Sequence, residues 1–145
     1  MPDIAVVFLV DARGHVLLQE RDEHAPRAAN QWGMVGGHVE PGEDFDTAVH
    51  RELLEETAVV TEPGVLRLWR SDDFTYSDGF HHHYEVYAGR VDLTDDDIIV
   101  GEGRAIVFVD PERALDLDLA ESTAYFLPLF LASDHYLELT GGTRP

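Results

Sequence analysis

Three glutamates carry the clearest chemical signal in the chain. Glu52, Glu55 and Glu56 differ by three and four positions, which on a helix places their carboxylates within about a 100° arc of one face. Like charges at that spacing repel, and anions near the end of a helix oppose its dipole. A hard divalent cation such as Mg²⁺ or Mn²⁺ reverses both penalties, because it seeks carboxylate oxygens, water and substrate phosphates. Taken alone, the cluster reads equally well as a solvated acidic face on a chain with a formal net charge of −19. Gly36-Gly37 upstream permits close backbone approach and leaves a carbonyl as a neutral oxygen ligand, with Pro41-Gly42 turning the chain into the helix. Arg51, four residues before Glu55, can orient that carboxylate or form an ordinary surface pair.

The elements that must position these groups follow from pattern. Phe45, Ala48, Val49 and Leu53 recur at helical spacing, predicting a helix from Asp44 to about Thr57. Ile4 to Val10 and His15 to Arg21, separated by turn chemistry at Asp11 to Gly14, read as a hairpin. Asp22 to Gln31 reads as a loop, and Trp32 to Val35 as a short strand ended by Gly36 and Gly37. Val65 to Trp69 and His83 to Val91 read as strands joined by a loop holding Tyr76-Ser77-Asp78-Gly79. Ala105 to Val109 is a last strand, terminated by Pro111. Glu121 to Leu139 reads as two short helices or one bent helix, with Pro128 as the break. Nothing marks a linker, so residues 1–140 read as one domain and 141–145 as a tail that frays.

In full, Gly37, five residues, Glu43, seven residues, Arg51-Glu52-Leu53, one residue, Glu55-Glu56, one residue, Ala58-Val59 resembles the Nudix box of the Nudix hydrolase family. Ala58 stands where that pattern has glycine, which affects the helix exit more than the chemistry. The motif spans 23 residues, and Leu17-Leu18 to Arg21, Trp32 and Gly36 to Glu43 extend the likeness over most of the first 60. The resemblance implies an α/β fold, an α/β/α sandwich around a mixed β-sheet. It implies that Glu52, Glu55, Glu56 and the Gly37 carbonyl hold Mg²⁺ or Mn²⁺, that Glu43 supports the site and that Arg51 orients a glutamate. The implied reaction is pyrophosphohydrolysis of a nucleoside diphosphate linked to another moiety, a small nucleotide-like substrate, with a homodimer left open.

Weaker signals surround this core. Glu102, in a Gly-Glu-Gly loop, occupies a region where some family members carry an extra glutamate, and otherwise reads as a turn residue. Arg21 could clamp a phosphate or pair with Asp22 or Glu23. His81, His82 and His83 read foremost as surface histidines, with substrate contact second. Trp32 and Trp69 read as packing rather than stacking residues. Tyr76 falls where a tyrosine in the family accompanies dinucleoside polyphosphate substrates, too faint a hint to select one.

Composition excludes several classes. All ten basic residues are arginines against 29 acidic ones, so binding to a nucleic-acid polymer is disfavoured. There is no cysteine, which removes thiolate metal sites and disulfides. No apolar run approaches membrane-span length and no export signal is visible, so a cytoplasmic location is expected by elimination. The competing readings are a nucleotide-binding or sensing module with the same fold but no turnover, and a purely structural acidic protein.

Overall fold

The computed structural model describes residues 1–142. Its centre is β1 (Asp3–Val10), whose two faces are both apolar. Ile4, Val6, Phe8 and Val10 point to one side, and Ala5, Val7 and Leu9 to the other. A strand buried on both faces needs a layer on each, and the chain supplies them. On the first side Phe126, Leu127 and Phe130 of α3 (Glu121–Leu131) and Tyr136 of α4 (Asp134–Leu139) pack against the sheet. On the second lie Ala48, Val49 and Leu53 of α1 (Phe45–Thr57). Full burial of side chains such as Phe8 and Leu53 contributes about 1.5–3 kcal/mol each. The result is the expected α/β/α arrangement.

The sheet has seven strands and is mixed. β1 pairs antiparallel with β4 (Val35–His38) and, at Val10, with β2 (Val16–Glu20), and parallel with β6 (His81–Arg90). β5 (Arg67–Thr75) flanks β6, while β3 (Trp32–Gly33) and β7 (Ala105–Val109) flank β2. Trp32 and Trp69 pack against the core, as their apolar surroundings predict.

Several boundaries depart from the sequence reading. Trp32 to Val35 is two strands, and Gly36-Gly37 lies inside β4 instead of ending it. Gly36 has φ +141°, and a side chain there would sit 2.2 Å from the Ala5 carbonyl, so only glycine lets β4 lie against β1. β5 continues to Thr75 through residues that are polar apart from Phe74 and so lack an apolar alternation in sequence, because pairing with β6 holds its backbone past a bulge between Leu68 and Arg70. Pro111 starts a further short helix, α2 (Pro111–Leu115), where its fixed φ suits the first turn and Asp110 accepts from the Glu112 amide. α3 runs through Pro128, and the break falls at Ala132 and Ser133 instead, where the Ser133 hydroxyl caps α4. Of the tail expected to fray, Gly141 and Gly142 form a turn, and residues 143–145 lie outside the described residues.

Candidate active site

α1 begins where Asp44 accepts a 2.7 Å hydrogen bond from the Thr47 amide. With its apolar face committed to the core, the helix turns Glu52 and Glu56 toward β4. Glu56 is only 3% exposed. Its carboxylate accepts from the Gly36 amide at 3.3 and 3.4 Å, and among the described residues no arginine or histidine forms an ion pair with it. Burial, with the charges of Glu52 and Glu102 adding to it, pushes its pKa up to about 8 against the opposing pull of Gly36 and Arg21. Burial likewise raises Glu52, opposed by Arg51. Gly37 leaves room for that carboxylate, since a Cβ at this position would lie 2.8 Å from Glu52 Oε1.

Arg51 is the hub of the segment. Its Nε and Nη2 donate to Glu43 at 2.7 and 2.9 Å, its Nη2 also to the His38 carbonyl at 3.0 Å, and its Nη1 to Glu52 at 3.0 Å and Glu55 at 3.3 Å. The bidentate pair holds the Glu43 pKa down at about 2. Arg51 thus ties Glu43 of the loop after β4 to Glu52 and Glu55 of α1, a wider role than the single pair legible from spacing.

Glu102 reaches the same wall. Residues 98–103 dock on the end of α1, with the Ile99 amide donating to the Thr57 carbonyl at 3.0 Å and the Gly101 amide to the Glu56 carbonyl at 2.8 Å. Gln19 Nε2 fixes the Glu102 carbonyl at 2.8 Å. A cleft of about 620 Å³ is lined here by Gly37, Glu52, Glu56, Glu102 and Arg21. The Arg21 Nε donates to the Arg27 carbonyl at 2.9 Å. Glu55 is the exception: its side chain is 57% exposed and it stays outside the cleft wall with Arg51. Among the described residues no three His, Asp or Glu side chains are gathered as ligands around one point.

At the far end of the cleft only Tyr76 and His82 carry a hint in the sequence. Arg27, Tyr76, Phe80 and His82 line it. His82 departs from the surface reading of the triplet, because it lies inside β6 and is buried while His81 is exposed. Strand alternation contains the signal that His82 faces opposite to its neighbours, but it does not say which face is covered.

The NUDIX domain model matches residues 1–130. The chain belongs to the NUDIX domain family. It is accordingly a Nudix hydrolase, an enzyme of phosphoanhydride bonds. Its relatives include the nucleoside triphosphatase NudI of Salmonella agona, 30% identical over 128 residues that cover 83% of this chain and 91% of that protein. The CTP pyrophosphohydrolase of Escherichia coli is 30% identical over 127 residues, 88% of this chain and 90% of the relative. Among solved structures, the MutT protein of Methanosarcina mazei superposes with a TM-score of 0.73 at 24% identity, covering 94% of this Nudix domain chain and 93% of its own. The NUDIX domain of Shewanella oneidensis NrtR, solved with ADP ribose, gives 0.71 at 19% identity, covering 86% and 82%. Among the described residues no helix is long and apolar enough to cross a membrane.

Proposed function

We propose that this Nudix hydrolase, acting as one domain over residues 1–140, is a divalent-cation-dependent pyrophosphohydrolase of a small nucleotide derivative. The observation that carries the proposal is the buried Glu56 carboxylate. It stands beside Glu52 and the Gly37 peptide with an amide as its hydrogen-bond partner and, among the described residues, no side-chain cation in an ion pair with it. A carboxylate so placed is held ionised only at a cost that a proton or a cation removes, and a cation can do so without neutralising the oxygen donors. The donor set is all oxygen, which suits Mg²⁺ or Mn²⁺. Glu52, Glu56 and the Gly37 carbonyl would hold the ion, with Glu55 a further ligand once it parts from Arg51. When bound, such an ion supplies charge stabilisation at a phosphoryl oxygen and activation of water.

The chain's own residues do the rest. Arg51, clamped by Glu43, orients Glu52 and Glu55. Arg21 offers a guanidinium to substrate phosphate at the cleft wall. Glu102 adds a carboxylate available to the substrate or to the attacking water. The reaction adds water across a P–O–P bond and gives two phosphate products, with no covalent enzyme intermediate. The activities for which the two relatives above are named, a nucleoside triphosphatase and a CTP pyrophosphohydrolase, support a nucleotide substrate.

The test is a panel of nucleoside triphosphates and nucleoside diphosphates linked to a second group, assayed with Mg²⁺ or Mn²⁺ and resolved by chromatography. Turnover is expected only with added cation. Glu56→Gln keeps the size and removes the charge, so its loss should exceed the roughly 10–100-fold typical of residues that merely support a metal site. Wild-type turnover in that variant sinks the metal assignment, and binding of nucleotides without turnover by the native protein favours the sensing module.

A further inference from the structure

The end of the cleft away from the glutamates gathers a guanidinium and two aromatic rings. Tyr76 and Phe80 close the β5–β6 hairpin, with the Tyr76 amide donating to the Phe80 carbonyl at 2.7 Å. The hairpin is pinned to α3, where Glu121 accepts from the Ser77 amide at 2.8 Å and its hydroxyl at 3.0 Å. Over the two rings lies the Arg27 guanidinium, 4.3 Å from the Tyr76 centroid and 4.9 Å from that of Phe80. Asp78 steadies it at 3.3 Å. Phe80 is 45% exposed, a large apolar ring left open at the rim of a cavity.

Behind this platform runs a polar chain. The His82 Nδ1 and the Tyr76 hydroxyl are bonded at 3.2 Å, and the Tyr76 hydroxyl meets that of Tyr84. Burial draws the His82 pKa down, favouring the neutral ring, which offers one donor and one acceptor. Ser122 and Thr123 complete the wall.

We infer that the guanidinium plane of Arg27, backed by Tyr76 and Phe80, is the stacking platform for the nucleobase of the substrate, with His82 at the polar wall beside it. The inference rests on the proposed reading of the glutamate end as the phosphate end. A neutral base suits a chain of net charge −19, and the phosphates need a cation whereas the base does not. A guanidinium held on aromatic faces presents a delocalised plane, and every base has a π-face to set against it. Lysine would keep the charge and lose the plane.

The test uses nucleosides, which lack phosphate and so need no metal. Adenosine, guanosine, cytidine and uridine are each titrated into the full chain in EDTA while NMR follows the Arg27 Nε–H and the Tyr76 and Phe80 ring protons. At least one nucleoside should shift these signals saturably, and ribose 5-phosphate should not. Arg27→Ala, Arg27→Lys and Phe80→Ala should each weaken that nucleoside roughly tenfold or more, and Phe80→Tyr should retain it. Melting curves check that the variants, at exposed or half-exposed sites, remain folded. Silence from all four nucleosides, or full affinity in Arg27→Lys and Phe80→Ala, overturns the inference. Nucleotide hydrolysis with no nucleoside shift at the platform overturns the platform alone, whereas nucleoside binding there without hydrolysis of any nucleotide overturns only the proposed activity.

Discussion

Glu56 concentrates the conflict between stability and chemistry in one side chain. Its pKa lies at about 8 in the folded chain, against an ordinary 4.5, chiefly through burial. Between those values the folded state holds a proton that the unfolded chain has released, so stability falls as pH rises through the window and levels off above it. In metal-free buffer the slope from this group approaches at most about 1.4 kcal/mol per pH unit. Urea denaturation in EDTA from pH 5 to 9 should therefore show a steeper decline for the native protein than for Glu56→Gln. Equal slopes would show that Glu56 is not held as described. Residue types and spacing made the three glutamates and Arg51 legible as candidates, and the likeness to the Nudix box added Glu43. That Glu55 turns outward was not, because a 100° arc on a helix is wide enough for one member to face solvent while the others face β4.

At the scale of elements, α1 shows how local sequence and tertiary context divide the work. Its start, its apolar face and its end near Thr57 follow from Asp44 and the spacing of Ala48, Val49 and Leu53. Its exit is left-handed, with Ala58 at φ 62° and its amide bonded to the Leu54 carbonyl at 2.9 Å. A residue with a Cβ is strained there, and glycine is not. Ala58→Gly should stabilise the protein by roughly 0.5–1 kcal/mol, a gain trimmed by glycine's greater freedom when unfolded. The urea midpoint should rise with turnover unchanged, and a lower midpoint would contradict the left-handed exit. Elements held by partners were harder to read. β5 beyond Trp69 is polar apart from Phe74 and owes its extension to β6, α2 is too short to display a period, and α3 carries Pro128 because packing of Phe126, Leu127 and Phe130 outweighs one missing backbone donor.

Over the whole molecule, the dominant property is the excess of negative charge, gathered in part where the cation is proposed to bind. A ligand that binds the folded state alone stabilises it by about 2.7 kcal/mol at 100 times its Kd, which for a chain of this size corresponds to a rise in Tm of roughly 5–10 °C. Mg²⁺ should produce such a rise in the native protein and much less in Glu56→Gln, with sodium chloride at matched ionic strength as the control. Equal rises in both proteins would assign the effect to general screening. In the aromatic half of the cleft Tyr76 and His82 carried faint hints in the sequence but Arg27 and Phe80 none, because its parts come from the loop after β2 and the β5–β6 hairpin, which only the sheet topology brings together.

That topology also sets the order in which strand partners become available during synthesis. β1 runs parallel to β6, Asp3 beside His83 and Val10 beside Arg90, so the middle of the sheet joins segments 80 positions apart. Such a closure is entropically expensive and slow compared with hairpins. A chain emerging from the ribosome amino end first presents β1 with one edge bare until residue 90 has appeared. By then β4 and α1 are long complete. The glutamate helix is therefore synthesised as half a site: the strand that supplies His82 follows to cover the bare edge of β1, and β7 with Glu102, Ser122 and Thr123 completes the sheet and the cleft after it.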